Sequence, residues 1–119
     1  MENIVKPVVV SIGDFRKDIK QVLDFVYKKR GSAYLRRHRN IVAVLIPPIF
    51  STEDVDNETV KVAELRDDLK FFIQKIDSLQ KEKNKKWFHV KKHNEILATF
   101  GKNSCQPKDF IEWADYKTQ

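Results

Sequence analysis

Cysteine is nearly absent: Cys105 stands alone in 119 residues. An internal disulfide framework is therefore excluded, and the chain suits a reducing compartment. Glycine occurs three times and proline four, which excludes collagen-like and low-complexity character and leaves no Gly-rich phosphate loop. Long apolar runs are missing too. The longest, Ile41 to Phe50, has ten residues and contains Pro47 and Pro48, too short for a membrane span. The first residues hold no basic stretch leading into an apolar core, so no signal peptide is expected. These absences predict a single cytoplasmic domain or domain pair with no membrane contact.

What is present is charge. Charged residues make up 34% of the chain against 41% hydrophobic, with a net charge of +6 and a pI near 9.4, so a polyanionic partner is plausible. The charge is uneven. Residues 1–50 carry 10 basic and 4 acidic side chains, 51–80 carry 4 and 8, 81–93 carry 6 and 1, and 94–119 carry 3 and 4. A basic front, an acidic middle, a basic knot and a near-neutral tail follow one another.

The first fifty residues predict a β-α-β-β order. Ile4 to Val10 is β-branched and interrupted by Lys6-Pro7, which suits an edge strand or a strand start. Ser11 stands where a helix N-cap belongs, with Asp14 three residues on. Phe15, Ile19, Val22, Leu23 and Val26 form one apolar stripe. Lys28, Lys29 and Arg30 suit the last turn, and Gly31 suits the left-handed position beyond it. A helix over 12–29 follows. Ser32 to Arg37 alternates as a half-exposed strand, and Ile41 to Ile46 is continuously apolar as a central strand would be. His38-Arg39-Asn40 makes a tight hairpin between them, with Asn40 taking positive φ. So small a core needs a partner, and dimerisation supplies one.

Val9-Val10-Ser11-Ile12-Gly13-Asp14-Phe15-Arg16-Lys17-Asp18-Ile19, followed by Tyr34-Leu35-Arg36-Arg37-His38-Arg39-Asn40-Ile41-Val42-Ala43-Val44-Leu45-Ile46-Pro47, resembles the Phd/YefM family of antitoxins over residues 4–50. The Arg-His turn before Val-Ala-Val-Leu-Ile-Pro is its most specific part. Arg39 stands where that family usually has the hairpin Gly, and Arg36 where it has Thr. The resemblance implies an α+β protein whose module at 1–50 dimerises through its sheet and binds double-stranded operator DNA. It assigns Arg16 and Arg37 as DNA contacts. Ser11 and the amides after it suit phosphate, and Arg36, Arg37, His38 and Arg39 together form a cationic tip that a two-fold axis would duplicate.

Residues 51–119 are expected to be mainly helical and to bind a partner. Ser51 to Asn57 suits a loop. From about 58 to 83, Leu65, Leu69, Phe72, Ile76 and Leu79 step as a heptad seam, widened by Val60 and Ile73. Such a seam fits a partner's groove or a coiled-coil dimer. The resemblance makes the partner a cognate toxin, and the acid excess would suit a basic one. In Lys81 to Lys92, lysines surround Trp87 and Phe88, which fits either nucleic-acid stacking or the wet and dry faces of a helix. Trp87, Val90, Leu97 and Phe100 suit a helix ending at Gly101. Pro107 opens a further short helix with Phe110, Ile111, Trp113 and Ala114 on its apolar side, so Trp87, Phe110 and Trp113 join the expected partner surface.

Catalysis has thin support. His89 and His93 at i and i+4 could face a metal from a helix, with Cys105 as a third ligand, but nothing completes the set. Cys105 as a nucleophile is equally weak. No enzyme activity, cofactor or metal is expected. The expected function is autorepression of an operon and masking of a toxin, with a stand-alone transcriptional regulator as the alternative.

Overall fold

In the computed structural model, residues 5–48, 58–81, 88–102 and 105–118 are described, with side-chain positions for all of these but 58 and 77–81. Pro7 ends the leading segment, and strand β1 (Val8–Ser11) starts immediately after it. The Ser11 hydroxyl then accepts the Asp14 amide at 3.2 Å, opening helix α1 (Ile12–Lys17). The helix expected over 12–29 is broken once. Asp18 adopts φ −109°, ψ 29° and precedes helix α2 (Ile19–Lys28), with its amide donating to the Asp14 carbonyl and its own carbonyl accepting from the Val22 amide. The expected apolar stripe survives the break: Phe15, Ile19, Val22, Leu23 and Val26 are all buried.

Helix α2 ends differently from expectation. Arg30, not Gly31, takes the left-handed conformation, at φ 59°. Glycine is required next to it for space. A Cβ on Gly31 would lie 2.4 Å from the Phe25 ring, inside any real carbon contact. Gly31→Ala should therefore cost about 1–3 kcal/mol through overpacking. The denaturant midpoint would fall at constant m value; an unchanged midpoint would mean that the Phe25 ring moves aside freely.

Strands β2 (Ala33–Arg37) and β3 (Asn40–Ile46) form the expected antiparallel hairpin, and β1 lies parallel to β2. Two short helices thus make the crossover between parallel neighbours, the connection that right-handed strand twist favours. The positive φ in the hairpin turn falls on His38, at 58°, rather than on Asn40.

The second half departs most from expectation. It repeats the first. Strand β4 (Glu58–Lys61), helices α3 (Val62–Asp67) and α4 (Leu69–Lys81), and strands β5 (Phe88–Lys92) and β6 (Glu95–Gly101) follow the same β-α-α-β-β order. Again the first strand is parallel to the second and the second antiparallel to the third. The helical break recurs at Asp68, with φ −116° and ψ 34°. The helix expected at 87–101 is therefore a hairpin. Phe88 and Val90, then Ala98 and Phe100, are buried, alternating with period two on either side of a His93-Asn94 turn. Trp87 itself lies outside the described residues, as does the loop expected at 51–57.

One seven-stranded mixed sheet results, in the order β4-β5-β6-β3-β2-β1-β7, where β7 is Ile111–Glu112. β3 and β6 meet antiparallel at its centre, pairing Val44 with Gly101, Leu45 with Phe100 and Ile46 with Thr99. Since residue 44 of the first module corresponds to 99 of the second, and 46 to 101, this register is symmetric about the Leu45–Phe100 pair. A pseudo-two-fold axis passes there. The edge of β3 that could have paired with a second chain is filled by the same chain.

A continuous row of buried side chains crosses five strands, from Val8 through Ala33, Leu45 and Phe100 to Phe88. The helices of both modules cover this face. Leu65, Leu69, Phe72 and Ile76 pack into that core, between 0% and 9% exposed. The heptad seam is thus spent on the chain's own sheet, not on a partner, while the side chain of Leu79 lies outside the described residues. The C-terminal segment completes the sheet. β7 pairs parallel with β1, and helix α5 (Trp113–Tyr116) follows it directly, so Pro107 does not open a helix.

Candidate nucleic-acid interface

The first hairpin tip is built by three local features. Between Leu35 and Arg36 the β2–β3 register slips, leaving Val42 as an extra residue. Such a bulge sharpens the twist and re-aims the end of the hairpin. His38 then takes positive φ, a position where His is several-fold more acceptable than most side chains. Arg37, His38, Arg39 and Asn40 end up exposed, and neither Arg37 nor Arg39 forms an ion pair with a described residue.

Arg36 belongs elsewhere. Both its terminal nitrogens donate to the Glu112 carboxylate at 2.8 Å, and this hydrogen bonding raises the arginine's pKa further. A half-buried fork of this kind fixes the strand β7 arm to β2. Arg36, expected as a DNA contact, is thus engaged within the chain. Arg16 is also engaged. Its guanidinium donates to the carbonyl oxygens of Arg66 at 3.2 Å and Asp67 at 3.4 Å, where the last turn of α3 presents unpaired carbonyls. Arg16 thus ties the two modules together beside the pseudo-axis. Ser11 caps α1 through the Asp14 bond. Of the six expected DNA contacts, Arg37, His38 and Arg39 are brought together and turned outward.

The second tip was not foreseen. Its register slips between Val90 and Lys91, leaving Leu97 as the extra residue, and His93 takes φ 56°. These match the bulge at Val42 and the conformation of His38 position for position, 55 residues later. Lys91 and Lys92 stand where Arg36 and Arg37 do, Asn94 where Arg39 does. Lys92, His93 and Asn94 are exposed. Glu95 is held by the Tyr27 hydroxyl, a bond that raises the Tyr27 pKa and joins α2 of one module to the hairpin of the other.

The expected partner surface is largely internal. Trp113 is 2% exposed; it meets the Phe25 ring edge-on at 6.5 Å and stacks on Tyr116 at 5.4 Å. Its indole N–H donates to Asp18 at 3.0 Å, and Lys117 adds a second bond to the same oxygen at 3.0 Å. Phe110 is half-buried. Among the described residues two large apolar side chains stand out, Val5 at 37% and Phe71, on α4, at 57% exposed.

The two histidines do not keep the helical spacing expected of them. His89 lies within β5 and His93 in the turn beyond it, about 13 Å apart along an extended chain, so the one-face argument for a helical pair no longer applies. Among the described residues no three His, Cys, Asp or Glu side chains converge on a metal-sized site. An open groove of about 580 Å³ lies beside the second tip, lined by Tyr27, Arg30, Pro48, Asn94, Glu95 and Ile96. Its polar lining includes the hydrogen-bonded Tyr27 hydroxyl and Glu95 carboxylate. No described helix is long and apolar enough to cross a membrane. No protein-family model, characterised protein or solved structure matches the chain.

Proposed function

We propose that the chain is a duplex-DNA-binding repressor of the Phd/YefM kind, acting at the promoter of its own gene. The observation that carries this reading is the basic tip at 37–40: two arginines without ion-pair partners among the described residues, held outward by a bulge and a strained turn. Arginine forks read guanine edges in the major groove and neutralise phosphates beside them. The internal pairing of β3 with β6 takes the part that a homodimer was expected to play. Fluorescence anisotropy on duplex DNA from upstream of its own coding sequence tests the proposal. Arg37→Ala should weaken binding by on the order of 1–3 kcal/mol, whereas equal affinity for the variant would remove Arg37 from the interface.

Neutralisation of a toxin is the second reading, and exposed Phe71 favours it. Phe71 packs edge-on to Phe72, with Lys75 over its ring at 5.8 Å, leaving an apolar surface with a cation beside it. Co-purification with the product of the neighbouring gene should give a stoichiometric complex, and Phe71→Asp should abolish it. A complex indifferent to that change would move the contact to another surface.

A further inference from the structure

We propose that one chain occupies a complete two-part duplex site, the tip at 37–40 on one half and the tip at 92–95 on the other, and that the two halves are unequal. This rests on the DNA-binding reading above and specifies its stoichiometry and operator. The pseudo-two-fold register about Leu45 and Phe100 is the starting point. The helices of both modules lie on one face, since Arg16 of α1 bonds the end of α3. The axis therefore runs perpendicular to the sheet, and both tips stand in the same relation to whatever lies across it. β3 and β6 are antiparallel, so the tips point to opposite ends. Asn40 and Glu95 are each five residues from the axis pair. At the rise of a strand the two turns are roughly 33 Å apart, within a molecule 38 Å in its longest dimension. Half-sites read by two-fold proteins are separated by about 34–36 Å, one turn of B-DNA.

The chemistry of the tips makes the halves unequal. Arg37 and Arg39 offer planar forks that can pair bidentately with guanine. At the second tip Lys92 is a point charge suited to phosphate, Asn94 is neutral, and Glu95 is drawn to Tyr27. The first half-site therefore carries the base preference, and the second supplies charge-dependent affinity.

The test uses the full chain throughout. Selection from a randomised duplex library of about 30 bp identifies a preferred sequence. Native mass spectrometry of the complex gives its stoichiometry, and footprinting gives the contacts. One chain per duplex is expected, with two protected patches about 10 bp apart. The doubly substituted Arg37→Ala/Arg39→Ala protein should lose preference for one patch, binding the selected duplex about 10–100-fold more weakly. Lys92→Ala should weaken selected and scrambled duplexes alike and reduce the salt slope by about one. Two chains per duplex, or a single protected patch, would overturn the two-tip arrangement while leaving DNA binding in place. Equal loss of base preference at both patches with either variant would overturn the inequality of the halves. Failure of the wild-type chain to retain any duplex at low salt would overturn the DNA-binding reading itself.

Discussion

Phe100→Asp should abolish cooperative unfolding and leave the chain without native tertiary structure at room temperature. Phe100 is fully buried, faces Leu45 across the junction of the modules and pairs with Phe88 within its own. Removing a buried phenylalanine alone costs about 3–5 kcal/mol, and a carboxylate without a partner in the same place adds several more. Domains of this size are commonly stable by only about 5–15 kcal/mol. Near-ultraviolet circular dichroism and a thermal scan report the result. A sharp transition within a few degrees of the wild type would show that the β3–β6 junction contributes little. The solvent-exposed Phe71→Ala serves as contrast, since it opens no cavity in the core and should stay within about 0.5 kcal/mol of the wild type.

Trp113→Ala should cost about 3–5 kcal/mol, lowering the melting temperature by roughly 10–25 °C. The indole is buried against Phe25 and Tyr116 and donates to Asp18, so its loss empties a cavity and strips one donor from a carboxylate. That carboxylate also makes stability depend on pH. The Asp18 pKa is lowered, first by the Trp113 hydrogen bond and then by the one from Lys117. Because the folded value lies below the unfolded one, near 3.9, the stabilisation is complete above the unfolded pKa and is lost as pH falls through the folded one. Melting temperatures at pH 7 and pH 3 should therefore differ more for the wild type than for Asp18→Asn, and Trp113→Ala should show a smaller acid-induced drop than the wild type. Equal drops in all three would place the acid-sensitive group elsewhere.

The two modules were not equally legible in the sequence. In the first, the Ser11 cap, the stripe from Phe15 to Val26 and the apolar run from Ile41 agree with one another, and the structure carries each of them. In the second, Lys61 stands where Ser11 caps, so the helix start lacks its marker. The strand before it, Glu58–Lys61, holds one apolar residue, Val60, where β1 holds three valines, so it blends into the helical pattern behind it. The hairpin at 88–101 was hidden by spacing: Val90, Leu97 and Phe100 fit a helical stripe as well as they fit two alternating strands. The repeat itself was readable. Val10, Arg16, Asp18 and Lys20 recur 50 residues later as Val60, Arg66, Asp68 and Lys70, whereas His38, Ile41 and Ala43 recur 55 residues later as His93, Ile96 and Ala98. The change of interval comes from α4, 13 residues long against 10 in α2, and from two further residues before β5, and it defeats any search for one fixed period. At the site, side-chain commitments were beyond sequence. Nothing in the local pattern shows that Arg36 is claimed by Glu112, 76 residues away, or Arg16 by carbonyls at 66 and 67.

The junction of β3 and β6 within one chain changes how such a protein responds to its own abundance. Two separate copies must first find each other, so the population of assembled sheets rises with the square of concentration and collapses on dilution. A covalent link makes that encounter intramolecular. Assembly is then independent of dose, and occupancy of a target rises in simple proportion to the number of chains. The link also lifts the rule of a homodimer, in which every substitution is made twice. Each hairpin here can drift alone, one keeping its arginines while the other exchanges them for lysine and asparagine.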